Sequence, residues 1–174
     1  MLTNSPYPDA LAHLARYRGF GGDEALPAGP RSLDRFVRAA AGRSGTTDRD
    51  PVAQAFATLD SARQEDRTRW SVVYELDRLR VHFRTESYPG IRRVDLGAFD
   101  LDCSQPVRML DIEARLDGDV AGGFAAYSTA ANLDLLRRSY GKTPFLAQVP
   151  EARRDVIARH PDSARCTLTG STRR

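Results

Sequence analysis

The side chains of this sequence that could serve as nucleophiles, bases or metal ligands are few and dispersed. Cys103 and Cys166 have no CxxC spacing, and the three histidines, His13, His82 and His160, stand apart without obvious carboxylate partners. Metal centres and nucleophile-base pairs need such groups at characteristic spacings, and no GxSxG, HExxH or P-loop motif occurs. The residues therefore predict reduced, inert cysteines, no metal site and no cofactor.

Charge and hydropathy limit the classes of partner. Lys and Arg number 26 against 23 Asp and Glu, so the pI of about 9.1 reflects a net charge of only +3. No groove-reading motif accompanies the paired arginines, which are Arg92-Arg93, Arg137-Arg138 and Arg153-Arg154. No apolar run approaches the ~20 residues of a membrane span, and the opening MLTNSPYPD lacks a signal-peptide pattern. We expect no nucleic-acid or membrane partner and, by default, a cytoplasmic location.

Apolar residues at helical spacing predict three helices in the first third of the chain. The first begins at Pro8 or Asp9 and ends by Gly19, and a Gly- and Pro-rich loop follows over residues 20–30. A second helix is capped by Ser32 and stopped by Gly42, and a third covers the residues after Pro51. These helices are expected to present one apolar face each to a common core.

From Trp70 the apolar period changes from helical to two, which predicts a β-hairpin. Trp70 and Tyr74 are expected to pack in the core or against the sheet. Further strands are predicted over residues 91–96 and 107–112, and further helices over residues 123–140 and 149–159, with a loose tail from Asp162. The fold class is therefore α+β, with helices followed by an antiparallel β-meander and a C-terminal helix.

Two other residues have ordinary interpretations when they are taken by type alone. Asn4 precedes Ser5-Pro6, where an asparagine usually forms a turn or caps a helix. Arg35 lies on the predicted second helix, where an arginine is usually solvated or ion-paired.

Four stretches, in the same order, nevertheless resemble the choloylglycine hydrolase and penicillin V acylase family. They are LTNSP at residues 2–6; Leu26-Pro27 with SLDRFVRAA at 32–40, similar to LPGD and SRFVRAA; RWSVVY at 69–74 with VHFRT at 81–85 and IRRVDL at 91–96; and a helix with Tyr127 and Ala131-Asn132-Leu133. The resemblance covers residues 2 to 140 and makes 1–140 the C-terminal part of such a domain. Residues 141–174 are then a polar, Arg-rich extension.

The resemblance implies an N-terminal-nucleophile hydrolase with an αββα fold. In that family a first-residue cysteine attacks a linear, non-peptide amide, and its own α-amine serves as the base. The asparagine of LTNSP carries over to Asn4 as a donor to the tetrahedral oxyanion. The first arginine of SRFVR carries over to Arg35, which would favour the thiolate form of the nucleophile.

The sequence also departs from the family pattern. Position 2 is Leu, and the internal Cys103 and Cys166 have no α-amine to act as a base, so the nucleophile and the early strands are missing. Pro27-Ala28-Gly29 stands where the family has Pro-Gly-Asp, and Asp34 replaces a serine. Bile-salt conjugates, penicillin V and acyl-homoserine lactones therefore all stay open as small-molecule amide substrates.

Three functions remain open from the sequence. The leading one is a fragment of an amidohydrolase, inactive alone, that pairs with a missing N-terminal half or forms a homo-oligomer because one sheet edge and face lie uncovered. The second is a non-catalytic binding or interaction protein derived from that fold. The third is a basic adaptor that binds polyanions in a salt-sensitive way.

Overall fold

The computed structural model describes residues 4–44, 50–65, 67–102 and 105–163, which form two compact units. The first unit runs to Ala98 and also includes Ile112–Ala121. The second comprises Phe99–Asp111 and the chain from Gly122 onward. Both candidate site residues, Asn4 and Arg35, belong to the first unit.

The three predicted N-terminal helices are confirmed as α1 (Tyr7–Leu14), α2 (Ser32–Ser44) and α3 (Pro51–Ser61). The α3 helix begins where expected because Pro51 occupies a first-turn position and Asp50 accepts from two exposed backbone N–H groups. Phe36, Val37 and Phe56 are buried. The apolar stripes of α2 and α3 therefore pack against each other, as their spacing predicts.

The predicted stop at Gly42 is wrong, since α2 continues to Ser44. Gly42 lies where α3 comes close, and a β-carbon there would meet Thr58 Oγ1 at 2.7 Å and Thr58 Cγ2 at 3.1 Å. Gln54 Nε2 donates to the Gly42 carbonyl at 3.1 Å across the same contact. The glycine therefore permits a close helix approach and does not end the helix.

The predicted loop after α1 is confirmed and is held by its own contacts. Tyr17 and Glu24 form an isolated parallel β-bridge, and Arg16 Nε donates to Glu24 Oε1 at 2.8 Å. That hydrogen bond and the Glu24 charge raise the pKa of the Arg16 guanidinium. The loop thereby returns the chain toward the start of α2.

The predicted hairpin and third strand are confirmed as an antiparallel meander. Its strands are β1 (Trp70–Glu75), β2 (Arg80–Thr85) and β3 (Arg92–Asp95). The turn at Leu76–Arg78 ends at Leu79, whose φ of 51° is left-handed. The two-residue β5 (Gly118–Asp119) adds parallel to β3, giving the order β1-β2-β3-β5. So short a strand carries no sequence period, and it was not predicted.

Trp70 and Tyr74 are not core residues, contrary to the sequence-based expectation. Because directly paired residues share a sheet face, Trp70 and Tyr74 lie on the same face as Thr85 and Val81. Thr85 is buried, yet Trp70 is 59% and Tyr74 is 67% exposed. The reason is that β1 is an edge strand, and no described residue covers these two rings.

Further along this face, a buried cation holds another segment to the sheet. Arg92 is 1% exposed, and its Nη1 donates to the Ile112 carbonyl at 2.7 Å and the Ala114 carbonyl at 3.2 Å. Its guanidinium carbon lies 4.6 Å from the centre of the Phe83 ring. Carbonyl dipoles and a ring face thus replace a carboxylate as partners of this charge.

The second unit contains α4 (Thr129–Gly141), α5 (Pro144–Ala147) and α6 (Glu151–Ser163). The helix predicted over residues 123–140 begins later, because β6 (Ala125–Ala126) pairs with β4 (Arg108–Met109). The β4 strand lies within the predicted fourth strand, residues 107–112, and α6 confirms the predicted last helix. The helix extends past Asp162, and the rest of the predicted tail, 164–174, lies outside the described residues.

The close approach at Gly42 gives a prediction for stability. Gly42→Ala should gain about 1 kcal/mol of helix propensity but lose more to the Thr58 contact, since overpacking costs about 1–3 kcal/mol. We expect the free energy of unfolding to fall by about 1 kcal/mol. Urea unfolding, followed by the fluorescence of Trp70, the single tryptophan, measures this change.

The matched control is Gly90→Ala in the same unit, where the new β-carbon meets only Asp117 Oδ1 at an ordinary 3.5 Å. In a Thr58→Ala background the cost of Gly42→Ala should shrink or reverse. An equal cost in both backgrounds would contradict the packing explanation.

Candidate functional site

Asn4 lies against the first turn of α2. Its backbone N–H donates to Ser32 Oγ at 3.1 Å, which joins residues 28 positions apart in the sequence. Asn4 is exposed, and its side-chain amide bonds to none of the residues that the structure describes. The two N–H groups of that amide are therefore available to an external acceptor.

Arg35 lies three residues after Ser32 on the same helix and is partly buried. Its Nη1 donates to the Pro30 carbonyl at 2.6 Å. Within the described ranges no carboxylate forms an ion pair with it. Of the two ordinary interpretations, solvated or ion-paired, ion pairing finds no partner among the described carboxylates. The guanidinium is held by a neutral acceptor and keeps its charge.

Arg38, one turn after Arg35, holds this region together. Its Nη1 donates to the carbonyls of Pro27 at 2.9 Å and Gly29 at 2.8 Å, and its Nε donates to the Ser61 carbonyl at 2.5 Å. The loop before α2 and the last residue of α3 are thereby tied to one side chain. No sequence pattern predicts this role for Arg38, because an arginine on a helix flank carries no signal of three carbonyl partners.

A titratable cluster links α1 to α2 beside this region. His13 Nε2 is hydrogen-bonded to the Tyr17 hydroxyl at 3.1 Å and lies 4.0 Å from Asp34 Oδ1. A β-carbon on Gly29 would collide with the Asp34 carboxylate. The glycine at position 29 thus leaves room for the Asp34 carboxylate.

The histidines are better partnered than the sequence indicated. Besides His13, His82 lies 3.1 Å from Glu75 Oε2 across the hairpin. Both pairs depend on tertiary or cross-strand proximity, which spacing along the chain does not show. His82 is half-buried and hydrogen-bonded to Glu75. The expectation that the histidines have no carboxylate partners is therefore wrong for His13 and His82.

A cavity of about 580 Å³ lies between the loop and the α2–α3 pair. Its wall includes Leu26, Pro27, Arg38, Gln54 and Ser61. Neither Asn4 nor Arg35 lines it. Asn4 and Arg35 therefore lie at the first turn of α2, outside this cavity. Arg38, on the next turn, is part of the cavity wall.

The described part of the chain contains no cluster of three His, Cys, Asp or Glu side chains suited to a metal ion. Cys103 and Cys166 lie outside the described residues. Among the helices described, none is long and apolar enough to span a bilayer.

The chemistry available around α2 is that of hydrogen-bond donors and a fixed positive charge. The Asn4 amide and the Arg35 guanidinium can both stabilise an anion.

Comparison with solved structures finds a penicillin V acylase from Agrobacterium tumefaciens, with a TM-score of 0.59 and 24% sequence identity. The match covers 73% of this chain and 47% of the acylase chain, so this chain spans about half the length of that protein. No protein-family model matches the sequence, and no curated protein does. The chain therefore shares its mixed helical and sheet fold with part of a penicillin V acylase.

The Arg38 contacts predict a specific loss of stability. Arg38→Met leaves three carbonyls without their charged donor and should cost about 2–3 kcal/mol of unfolding free energy. The unfolding free energy of Arg38→Lys should lie between those of Arg38→Met and the unchanged protein, because one ammonium group cannot span all three acceptors. Urea unfolding followed through Trp70 measures both.

Arg31→Met is the control, since the Arg31 side chain is exposed and has no partner among the described residues. Arg31→Met should change the free energy of unfolding by no more than about 0.5 kcal/mol. Equal effects at positions 31 and 38 would show that the three carbonyl contacts do not stabilise the fold.

Proposed function

We propose that this chain is the C-terminal part of an N-terminal-nucleophile amidohydrolase that cleaves a linear, non-peptide amide of a small molecule. The observation that carries the proposal is the fold match to a penicillin V acylase over 73% of this chain. The ordered LTNSP and DRFVRAA segments add to it, because they supply residues of the chemical types that such a reaction requires.

In the proposed reaction a cysteine thiolate, supplied by polypeptide outside these 174 residues, attacks the amide carbonyl carbon. The carbonyl oxygen becomes an oxyanion, and the amine leaves with a proton from the nucleophile's own α-ammonium group. Water then attacks the resulting thioester, releases the carboxylate product and restores the thiol. The chain described contributes stabilising groups to these steps and no nucleophile.

Asn4 is the proposed oxyanion donor. Its side-chain amide is free of partners among the described residues, while its backbone is anchored by Ser32 Oγ at 3.1 Å. A donor whose position is fixed before the reaction stabilises developing charge without reorganising. The Ser32 bond gives the Asn4 backbone this fixed position.

Arg35 is the proposed electrostatic partner of the thiolate. A positive charge near a cysteine lowers the pKa of the thiol, because it stabilises the anionic form. Arg35 retains this capacity because its described partner is the neutral Pro30 carbonyl at 2.6 Å. A carboxylate in that place would cancel the charge.

One exposed part of this sheet face, at the edge strand β1, supports the proposal that a further half of the domain is missing. At the turn end of β1 the Tyr74 ring is 67% exposed. In an αββα arrangement such a face packs on a second sheet, which buries large apolar side chains. The proposed αββα fold thus needs further strands from the preceding polypeptide, and the chain alone should be inactive.

The decisive experiment expresses the chain together with the in-frame codons that precede it and assays hydrolysis of penicillin V, a glycine-conjugated bile salt and an acyl-homoserine lactone. We expect turnover of at least one amide. Asn4→Ala should lower kcat by about 100- to 1000-fold, and Arg35→Gln should move the acidic limb of the pH-rate profile to higher pH. Arg31→Gln, an exposed arginine of the same helix region, is the control.

The other outcomes separate the alternatives. Saturable substrate binding without turnover would support a non-catalytic binding protein derived from the fold. Salt-sensitive binding to polyanions that survives changes at Asn4 and Arg35 would support a basic adaptor. Turnover that does not depend on Asn4 would contradict its proposed role.

A further inference from the structure

A second cavity, of about 380 Å³, lies at the end of the hairpin opposite its turn. The segment after α3 forms one side of it, and the first residues of β1 with the last of β2 form the other. Its wall includes Arg63, Arg69, Trp70, Arg84 and Glu86. The volume is within the range of small-molecule sites, about 300–1,000 Å³.

The charged groups of this cavity leave an excess of cations. Arg84 is paired with Asp60, while Arg63 and Arg69 share the single carboxylate of Glu86. Among the described lining residues, three guanidinium groups therefore face two carboxylates, which leaves one positive charge. The Arg63 contact with Glu86 is loose at 3.6 Å. A guanidinium has five N–H donors, so Arg63 and Arg69 retain donors for another anion.

The remaining wall suits a flat group attached to that anion. The Trp70 indole lines the cavity and is 59% exposed, so one of its faces is open to a planar partner. Thr68 Oγ1 accepts from the Gln64 backbone N–H at 3.0 Å, which leaves its own hydroxyl hydrogen available. Cationic donors on one side thus stand beside an aromatic surface on the other.

We propose that this cavity binds small carboxylates that carry a planar aromatic group, with Arg63 and Arg69 holding the carboxylate and Trp70 contacting the ring. The proposal goes beyond the amidohydrolase function, because it uses neither Asn4 nor Arg35. Glu86 is the internal competitor: its carboxylate occupies donors that the ligand would otherwise take, and it sets the affinity of the site.

Trp70 is the single tryptophan of the chain and reports directly on this site. Titration of the full chain with benzoate, at constant ionic strength kept with chloride, should change its fluorescence saturably with a Kd of about 1 mM, a reasonable value for so small a ligand. Benzamide, which lacks the charge, and cyclohexanecarboxylate, which lacks the flat ring, should bind at least about tenfold more weakly.

Two variants should act in opposite directions. Arg69→Gln removes a donor and should weaken benzoate binding about tenfold, whereas Glu86→Gln removes the competitor and should tighten it several-fold. Arg31→Gln is the matched control and should leave Kd unchanged. Arg63→Gln repeats the first test should Arg69→Gln fail to fold. A non-saturable response, equal binding of benzamide, or the same effect from Arg69→Gln and Glu86→Gln would overturn the proposal.

Discussion

The candidate site depends on the hydrogen bonds that Arg38 donates to three backbone carbonyls. Pro27 and Gly29 belong to the loop before α2, and Ser61 is the last residue of α3. The last carbonyls of a helix carry partial negative charge and lack helical partners, so the guanidinium satisfies a group that would otherwise stay unpaired. The same bonds fix the loop from which Arg35 takes its Pro30 acceptor.

In the first unit, several arginines bind carbonyls and have no carboxylate partner among the described residues. Arg35 and Arg38 use loop carbonyls, and the buried Arg92 uses the carbonyls of Ile112 and Ala114 together with the Phe83 ring. These contacts do not depend on the ionisation of an acid, so they persist as pH falls. They also leave the arginine charge unneutralised, which matters for a site proposed to stabilise a thiolate and an oxyanion.

Where local pattern decided the outcome, the sequence predicted the structure well. The stripes of α2 and α3, the Asp50-Pro51 start of α3 and the hairpin all follow from spacing and capping. The failures have tertiary causes. Gly42 ends no helix because α3 approaches it, Trp70 and Tyr74 are exposed because β1 is an edge strand, and the two-residue strands are too short to show a period.

The site was less predictable than the fold for the same reason. Only the family resemblance points to Asn4 and Arg35, since by type alone they are a turn or capping residue and a solvated or ion-paired arginine. Arg38 and the His13-Tyr17-Asp34 cluster were missed because their partners come from other segments. The 3.1 Å bond from the Asn4 backbone to Ser32 Oγ is likewise invisible to any local rule.

The central claim is that Asn4 and Arg35 serve a cysteine delivered as the first residue of preceding polypeptide. The most direct measurement is the intact mass and N-terminal residue of the protein isolated from its source cells. We expect a mature N-terminal cysteine, upstream of Leu2 in the same chain or on a polypeptide bound to it. A native chain that starts at Met1 or Leu2, with no cysteine-initiated polypeptide bound, would contradict it.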